Sequence, residues 1–321
     1  MPKYLAKPQT DIVDLNICIP VYKRTSELSQ LVSSINKSLY GINYNLYFLL
    51  NGSTNEVKQL VLNNFIKTSN IGVILFNENI KEDIFIWPLF NLPQGRFWII
   101  GDDDFIEDNA RDAVLDSLKH DLTILNYDLY DKTLDSIVKE NYLGRLLVKR
   151  KKNLDIKYIF DSLGEKISFI SSVIVNSKIL SLDSVVSSPK SFAYASLLYG
   201  SFAESNLKTK IFFEKKICLK QRGNNILIKD MKIIDDIFIN DIRLFYLNMT
   251  SKKIYRYKAI KKFLIATFFL IPKLLIASRL SNRNPIIKTF FYIDFLYLFI
   301  VKSIIRIIPK FVFNFLRKSL R

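Results

Sequence analysis

Between Asn16 and Tyr127, short apolar runs alternate with segments of 3.6-residue periodicity, one pair about every 25–30 residues. Residues 16–21, 45–50, 72–76, 96–101 and 122–127 read as strands, and 26–39, 55–65 and 109–119 as helices. In the first helix Leu28, Leu31, Val32, Ile35 and Leu39 share one face, and Ser26 stands as the N-cap. Residues 84–92 are helix or loop, because Pro88 interrupts them. Strand and helix in this order predict an α/β fold of Rossmann-like type: a mostly parallel sheet with flanking helices on both faces. Such sheets bind ligands beyond the carboxyl ends of their strands. Pro20, Asn51 and Asp102 all stand at predicted strand ends, so they are expected to converge on one crevice.

The fourth strand ends in Gly101, Asp102, Asp103 and Asp104. Adjacent carboxylates raise one another's pKa, and none is readily buried unpaired. A divalent cation removes that penalty. Hard oxygen ligands suit Mg²⁺ or Mn²⁺, ions that share their shell with substrate phosphates. The triplet therefore points to metal-assisted chemistry on a phosphorylated donor. The alternative is an acidic turn in which Asp104 or Asp108 caps a helix over 110–118.

Downstream, the pattern weakens over 128–152, which includes a basic run at 149–152. Residues 168–175 read as a strong β run, 181–190 as loop, 192–198 as helix and 211–219 as an amphipathic strand. Arg222-Gly223-Asn224-Asn225 marks a turn. Cys18 and Cys218 form neither a disulfide framework nor a metal-ligand spacing, so a reducing compartment is expected. The first fifteen residues lack the apolar stretch of a signal peptide. His120, the single histidine, reads as structural.

The chain has 321 residues and a net charge of +17. Residues 251–321 hold sixteen Lys or Arg against one acid, Asp294, for a net +15; the first 250 hold thirty-one against twenty-nine, for +2. The same tail is rich in Phe, Ile and Leu. A nucleic-acid binder is basic too, but rarely interleaves so much aliphatic surface. Lys302, Arg306, Lys310, Asn314 and Arg317 or Lys318 recur at helical spacing among apolar residues, with a break near Pro309. The charge-free runs 263–272 and 295–301 are ten and seven residues long, short of the roughly 18–20 that span a bilayer. Helices lying on an anionic membrane surface are expected, with a second core or a subunit interface as the alternative.

Three elements, 18–24 (Cys-Ile-Pro-Val-Tyr-Lys-Arg), 51–55 (Asn-Gly-Ser-Thr-Asn) and 101–106 (Gly-Asp-Asp-Asp-Phe-Ile), resemble in order and spacing the family 2 glycosyltransferases of the GT-A fold. Residues 168–176 resemble the O-antigen and capsule members of the abequosyltransferase-like group. The resemblance covers roughly residues 14–226 and implies a GT-A glycosyltransferase domain over 1–230, followed by a basic helical membrane-associating region over 231–321. It further implies an inverting, metal-dependent enzyme with Mn²⁺ or Mg²⁺, a nucleotide-sugar donor and a glycan or lipid-linked glycan acceptor, peripheral on the cytoplasmic face of the membrane. Asp104 is then the first metal ligand; Asp102 and Asp103 orient the ribose or complete the shell. Pro20, Tyr22 and Arg24 line the base and pyrophosphate side, with Arg24 pairing a phosphate. Asn51 and Ser53 contact base or ribose. Glu204, then Asp183, is the expected catalytic base. Two departures stand out: the acid that opens the second element in the family is here Leu50 or Asn51, and the acid that closes it is Asn55. They motivate the competing expectation of an inactive scaffold; a nucleic-acid-binding protein is the other.

Overall fold

The computed structural model describes residues 2–10, 12–66, 68–147, 154–184, 189–205, 209–223, 240–271, 275 and 301. The chain forms two compact units, Met1–Val186 with Ala193–Asn224, and Ser187–Phe192 with Asn225–Arg321.

The first unit is built on a ten-stranded sheet. Its elements in chain order are β1 (Lys3–Ala6), β2 (Leu15–Val21), α1 (Ser26–Ser38), β3 (Tyr44–Asn51), α2 (Asn55–Asn64), β4 (Ile71–Phe76), α3 (Trp87–Asn91), β5 (Arg96–Ile99), β6 (Phe105–Ile106), α4 (Ala110–Ser117), β7 (Leu122–Tyr130), β8 (Ile137–Lys139), α5 (Ile156–Ser162), β9 (Val173–Asn176), α6 (Ala193–Glu204) and β10 (Ile211–Arg222). The strands lie in the order β1-β4-β3-β2-β5-β9-β7-β10-β6, and β8 pairs with β7. The central pairs β4-β3, β3-β2, β2-β5 and β7-β10 are parallel. β9 runs antiparallel to both β5 and β7 and joins the two parallel halves. β2 and β3 are buried over nearly their whole length, which is why their sequences are continuously apolar instead of alternating. α1 buries Leu28, Leu31, Val32 and Ile35, the face read from its periodicity.

Several elements differ from expectation. Ser26 is the first residue of α1, not its cap: Thr25 takes the cap position, and the Ser26 hydroxyl donates to Glu27 at 2.6 Å. The apolar stretch 168–175 is not one strand. It forms 3₁₀ turns at Gly164–Ser168 and Ile170–Ser172 before β9, because its serines bond locally: Ser172 Oγ donates to the Phe169 carbonyl at 2.7 Å. β10 runs three residues beyond the expected end, where β6 and β7 both pair with it. Pro88 sits in the first turn of α3, where its missing N–H removes no helical bond. The basic run at 149–152 and the Asn224-Asn225 part of the expected turn lie outside the described residues.

In the second unit α7 (Ile242–Met249) packs against α8 (Arg256–Ile265), which continues into a π-helical turn, Ala266–Leu270. Arg243 is fully buried; its Nε donates to Thr267 Oγ1 at 3.1 Å, and its guanidinium lies 5.6 Å from the Phe263 ring centroid. No helix among the described residues is long and apolar enough to cross a membrane. The amphipathic pattern expected over 302–318 and the run 295–301, apart from Val301, lie outside the described residues.

Candidate active site

β5 delivers the acidic triplet through a tight turn. Ile100 N–H donates to the Cys18 carbonyl at 2.9 Å, holding the end of β5 against β2, and Asp104 N–H donates to the Gly101 carbonyl at 3.2 Å. A Cβ on Gly101 would stand 3.0 Å from an Asp104 carboxylate oxygen, so glycine allows the turn to close. Ser171 braces it from below: its hydroxyl accepts from Gly101 N–H at 2.9 Å and donates to the Asp104 carboxylate at 2.5 Å. Trp98 Nε1 donates to the Ser171 carbonyl at 2.7 Å and fixes the brace to the strand. From β10, Arg222 Nε donates to the Asp103 carbonyl at 3.0 Å, Nη1 to the Lys132 carbonyl at 2.6 Å and Nη2 to Gln30 Oε1 at 2.9 Å.

Two of the three carboxylates pair with one guanidinium. Arg24 Nη1 is 2.5 Å from Asp102 Oδ1, and Nη2 is 3.1 Å from Asp103 Oδ2. Burial works against the charge on Arg24, but the two carboxylates outweigh it and hold its pKa above the ordinary value. Burial also raises Asp102 and Asp103, and Arg24 offsets this only in part. Asp104 is 3% exposed; burial, then the charge of Asp103, pushes its carboxyl up to about 8, against hydrogen bonds from Ser171 and the Arg222 backbone N–H. Arg24 thus serves two of the acids, and Asp104, set apart on Ser171, is the one whose burial most favours the protonated form. The capping alternative does not hold. Asn109 takes the cap position of α4 without a side-chain bond, and Asp108 pairs with Lys37 at 3.3 Å.

A cleft of about 410 Å³ opens over the carboxyl ends of β2, β3 and β5. One end is acidic: Asp102 and Asp103, with Arg24 and Tyr22 beside them and Pro20 behind. Away from them the lining is uncharged, with the amides of Asn51 and Asn79 and the apolar Ile84 and Phe85. Lys81 and Glu82, between β4 and α3 in the chain, and Ile170, just before β9, also line the cleft. At the amide end every orientation is fixed. Asn51 Nδ2 donates to Asn79 Oδ1 at 2.9 Å, Asn51 Oδ1 accepts from Ile80 N–H at 2.8 Å, and Asn79 Oδ1 accepts from Lys81 N–H at 2.7 Å. Gly52, at φ +63°, lets the chain pass where a Cβ would meet the Asn79 nitrogen at 2.7 Å. Lys81 takes a left-handed φ of +55°, a strained conformation for a side chain of its kind, in the cleft lining.

Of the residues singled out from sequence, the structure brings Pro20, Tyr22, Arg24, Asn51, Asp102 and Asp103 into this cleft. Asp104 lies in the same turn, buried on Ser171, and does not line the cleft. Ser53 lies behind it, donating from Oγ to the Val21 carbonyl at 2.6 Å. Glu204, the last residue of α6, and Asp183, in the 3₁₀ turn Leu182–Ser184, are exposed and are not among the lining residues. His120 stacks on Phe212 away from the cleft, with Nδ1 2.7 Å from the Asp116 carbonyl. Asn79, Lys81, Glu82, Phe85 and Ser171 were not singled out. The rule that ligands gather past strand ends, applied to the polar cluster after β4, could have found the first three. Among the described residues no group of three or more His, Cys, Asp or Glu is arranged to hold a metal ion by itself.

No family model and no curated protein matches the chain. Solved structures do. The crystal structure of S. aureus TarS 1–349 is similar at 11% identity with a TM-score of 0.57, over 84% of this chain and 82% of that one. The same fragment in complex with UDP-GlcNAc is similar at 13% identity with a TM-score of 0.57, over 79% of this chain and 72% of that one. The mannosyltransferase PcManGT from Pyrobaculum calidifontis, in complex with GDP-Man and Mn²⁺, is similar at 8% identity with a TM-score of 0.54, over 94% of this chain and 89% of that one. At these identities the likeness is one of fold: a mixed α/β architecture with a mostly parallel central sheet and flanking helices, as the sequence led us to expect.

Proposed function

We propose that this chain is an inverting glycosyltransferase that moves a sugar from a nucleotide-sugar donor to a hydroxyl of a glycan acceptor, lipid-linked, in bacterial surface polysaccharide synthesis. The observation that carries this reading is the crowding of Asp102, Asp103 and Asp104 where β5 ends, two of them opening into a cleft and all three raised above the usual carboxylate range. Fold neighbours that hold UDP-GlcNAc, and GDP-Man with Mn²⁺, support it. The likeness of residues 168–176 to the abequosyltransferase-like group supports the class of acceptor.

The donors facing the cleft, the carboxylate oxygens of Asp102 and Asp103, are hard ligands that fit a divalent Mn²⁺ or Mg²⁺, with Asp104 buried behind them on Ser171. Two protein carboxylates and substrate phosphates are the usual share-out for such ions. When bound, the ion serves as a Lewis acid toward the diphosphate leaving group. Arg24 is placed to pair a phosphate oxygen as well as the two acids it now holds. Tyr22 and Pro20 form the wall beside it. Asn51 and Asn79 present a fixed, neutral edge to the base, and Phe85 an apolar face. Inversion needs one in-line displacement, with the acceptor proton passing to a carboxylate. Glu204 and Asp183 are the sequence candidates for that role, and Glu82 joins them because it lines the cleft.

The test is a thermal-shift screen of UDP-, GDP-, dTDP- and CDP-sugars with and without Mn²⁺, since a ligand of the native state raises the melting temperature. One nucleotide class is expected to raise it by several degrees, more with Mn²⁺ than without. No response to any nucleotide in either condition would overturn the reading.

A further inference from the structure

We propose that the solvent-facing side of α8 is a docking surface for an anionic lipid bilayer. The helix is apolar on two opposite sides. Ala259, Phe263 and Ala266 are buried on one of them. On the other, Tyr257 is 76% exposed, Ile260 45%, Leu264 42% and Phe268 40%. These four follow one another three or four residues apart, so they form a single stripe along the helix, and Ile265, 47% exposed, widens it. A helix that only covers a protein core turns a polar face to water; a second apolar face marks a surface with something to bury it.

Charge names the occupant. Lys252, Lys253, Arg256, Lys258, Lys261 and Lys262 lie in or just before α8, and the sequence from 251 to 293 contains no Asp or Glu. Cations beside an apolar stripe match the layered chemistry of an anionic membrane, with acyl chains for the stripe and headgroups for the lysines. A nucleic acid would engage the lysines but leave the stripe in water. A second copy of the chain would bring the same positive charge against this one. No described helix is long enough to span a bilayer, so α8 would lie in the plane of the interface, with Tyr257 at headgroup level. The surface stands whether or not the chain transfers a sugar.

Flotation of the full chain with vesicles tests this. Wild type is expected to float with phosphatidylcholine mixed equally with phosphatidylglycerol, and to stay behind with phosphatidylcholine alone. The combined variant Ile260→Gln, Leu264→Gln, Phe268→Gln should lower the bound fraction at least about tenfold. Lys258→Glu with Lys261→Glu should remove the preference for the anionic vesicles. All these side chains except Lys258 are exposed, so an unchanged melting temperature serves as the control for folding. The proposal is overturned if wild type fails to float with anionic vesicles, or if the triple variant floats as wild type does. It is also overturned if sedimentation shows a dimer that the triple variant dissolves, which would assign the stripe to a second copy.

Discussion

The two ends of the cleft solve opposite problems. At the acidic end two carboxylates share one guanidinium and a third is buried beside them on Ser171, and burial leaves all three reluctant to ionise. At the amide end two asparagines and two backbone N–H groups satisfy one another, with no net charge at all. The first arrangement destabilises the protein locally, so it calls for a role in chemistry. The second is stable and rigid, which suits discrimination between ligands rather than catalysis. What separates them is residue type at equivalent places: both sit where a parallel strand runs out, one after β5 and one after β3.

The largest effect should come from removing charge at the acidic end. Asp103→Asn keeps the shape of the side chain and its main-chain bond to Arg222. Sugar transfer should nonetheless fall by about two to three orders of magnitude, the range for losing one electrostatic contributor in a preorganised site. Steady-state rates with the donor found in the screen measure this. An unchanged rate would strip the acidic end of its chemical role and leave the two ends alike. A change at the amide end should act on selection. Asn51→Asp exchanges a side chain that both donates and accepts for one that only accepts. It also sets a carboxylate oxygen against Asn79 Oδ1 and breaks the bond that fixes the pair, so the ratio of affinities for different bases should change by about tenfold, the worth of one hydrogen bond. Calorimetry with the free nucleoside diphosphates reads that ratio, and no change in it would remove the amide end from base selection.

The smallest effect is on stability against pH. An ordinary Asp titrates near 3.8, whereas Asp104 is pushed up to about 8 in the native state. Between those values the native protein keeps a proton that the unfolded chain has lost. Stability therefore falls as pH rises from about 4 to about 8 and levels off above that. In metal-free buffer the melting temperature should decline across this window. Asp104→Asn should flatten the decline. Mn²⁺ should raise the melting temperature more at pH 8 than at pH 5, because a cation and protons compete for the same oxygens. The same scan on Asn51→Ala should keep the slope, since the amide end holds no titrating group. Calorimetric scans at stepped pH settle whether the contrast between the ends is electrostatic.

The amount visible in sequence also differed between regions. β2, β3 and α1 were legible because their signals are local: uninterrupted apolar runs and a 3.6-residue stripe. The acidic turn was legible too, since three adjacent acids at a strand end have few structural explanations. The stretch before β9 was misread because composition cannot reveal that Ser171 and Ser172 spend their hydroxyls on nearby groups and break the strand. The Arg222 clamp joins residues 119 positions apart, a distance at which no pattern in a single sequence signals contact. Asn79 gains its place only through Gly52 and the left-handed Lys81, backbone features that residue type merely permits. Glu204 and Asp183 were chosen by spacing from the triplet, and spacing along the chain carried neither to the cleft lining.

β9 has a consequence for how the chain comes together. It is the seam between β5 and β7, yet it is made some seventy residues after β5. Until it arrives, both of those strands carry an unsatisfied edge of the kind that invites mispairing between molecules. The residue just before the seam, Ser171, is also the one that props the acidic turn. A nascent or truncated chain ending short of residue 173 would therefore be sticky and inert together, whereas insertion of this one short ribbon closes the gap between the two halves and seats Ser171 under the acidic turn, leaving β10 to bring the Arg222 clamp.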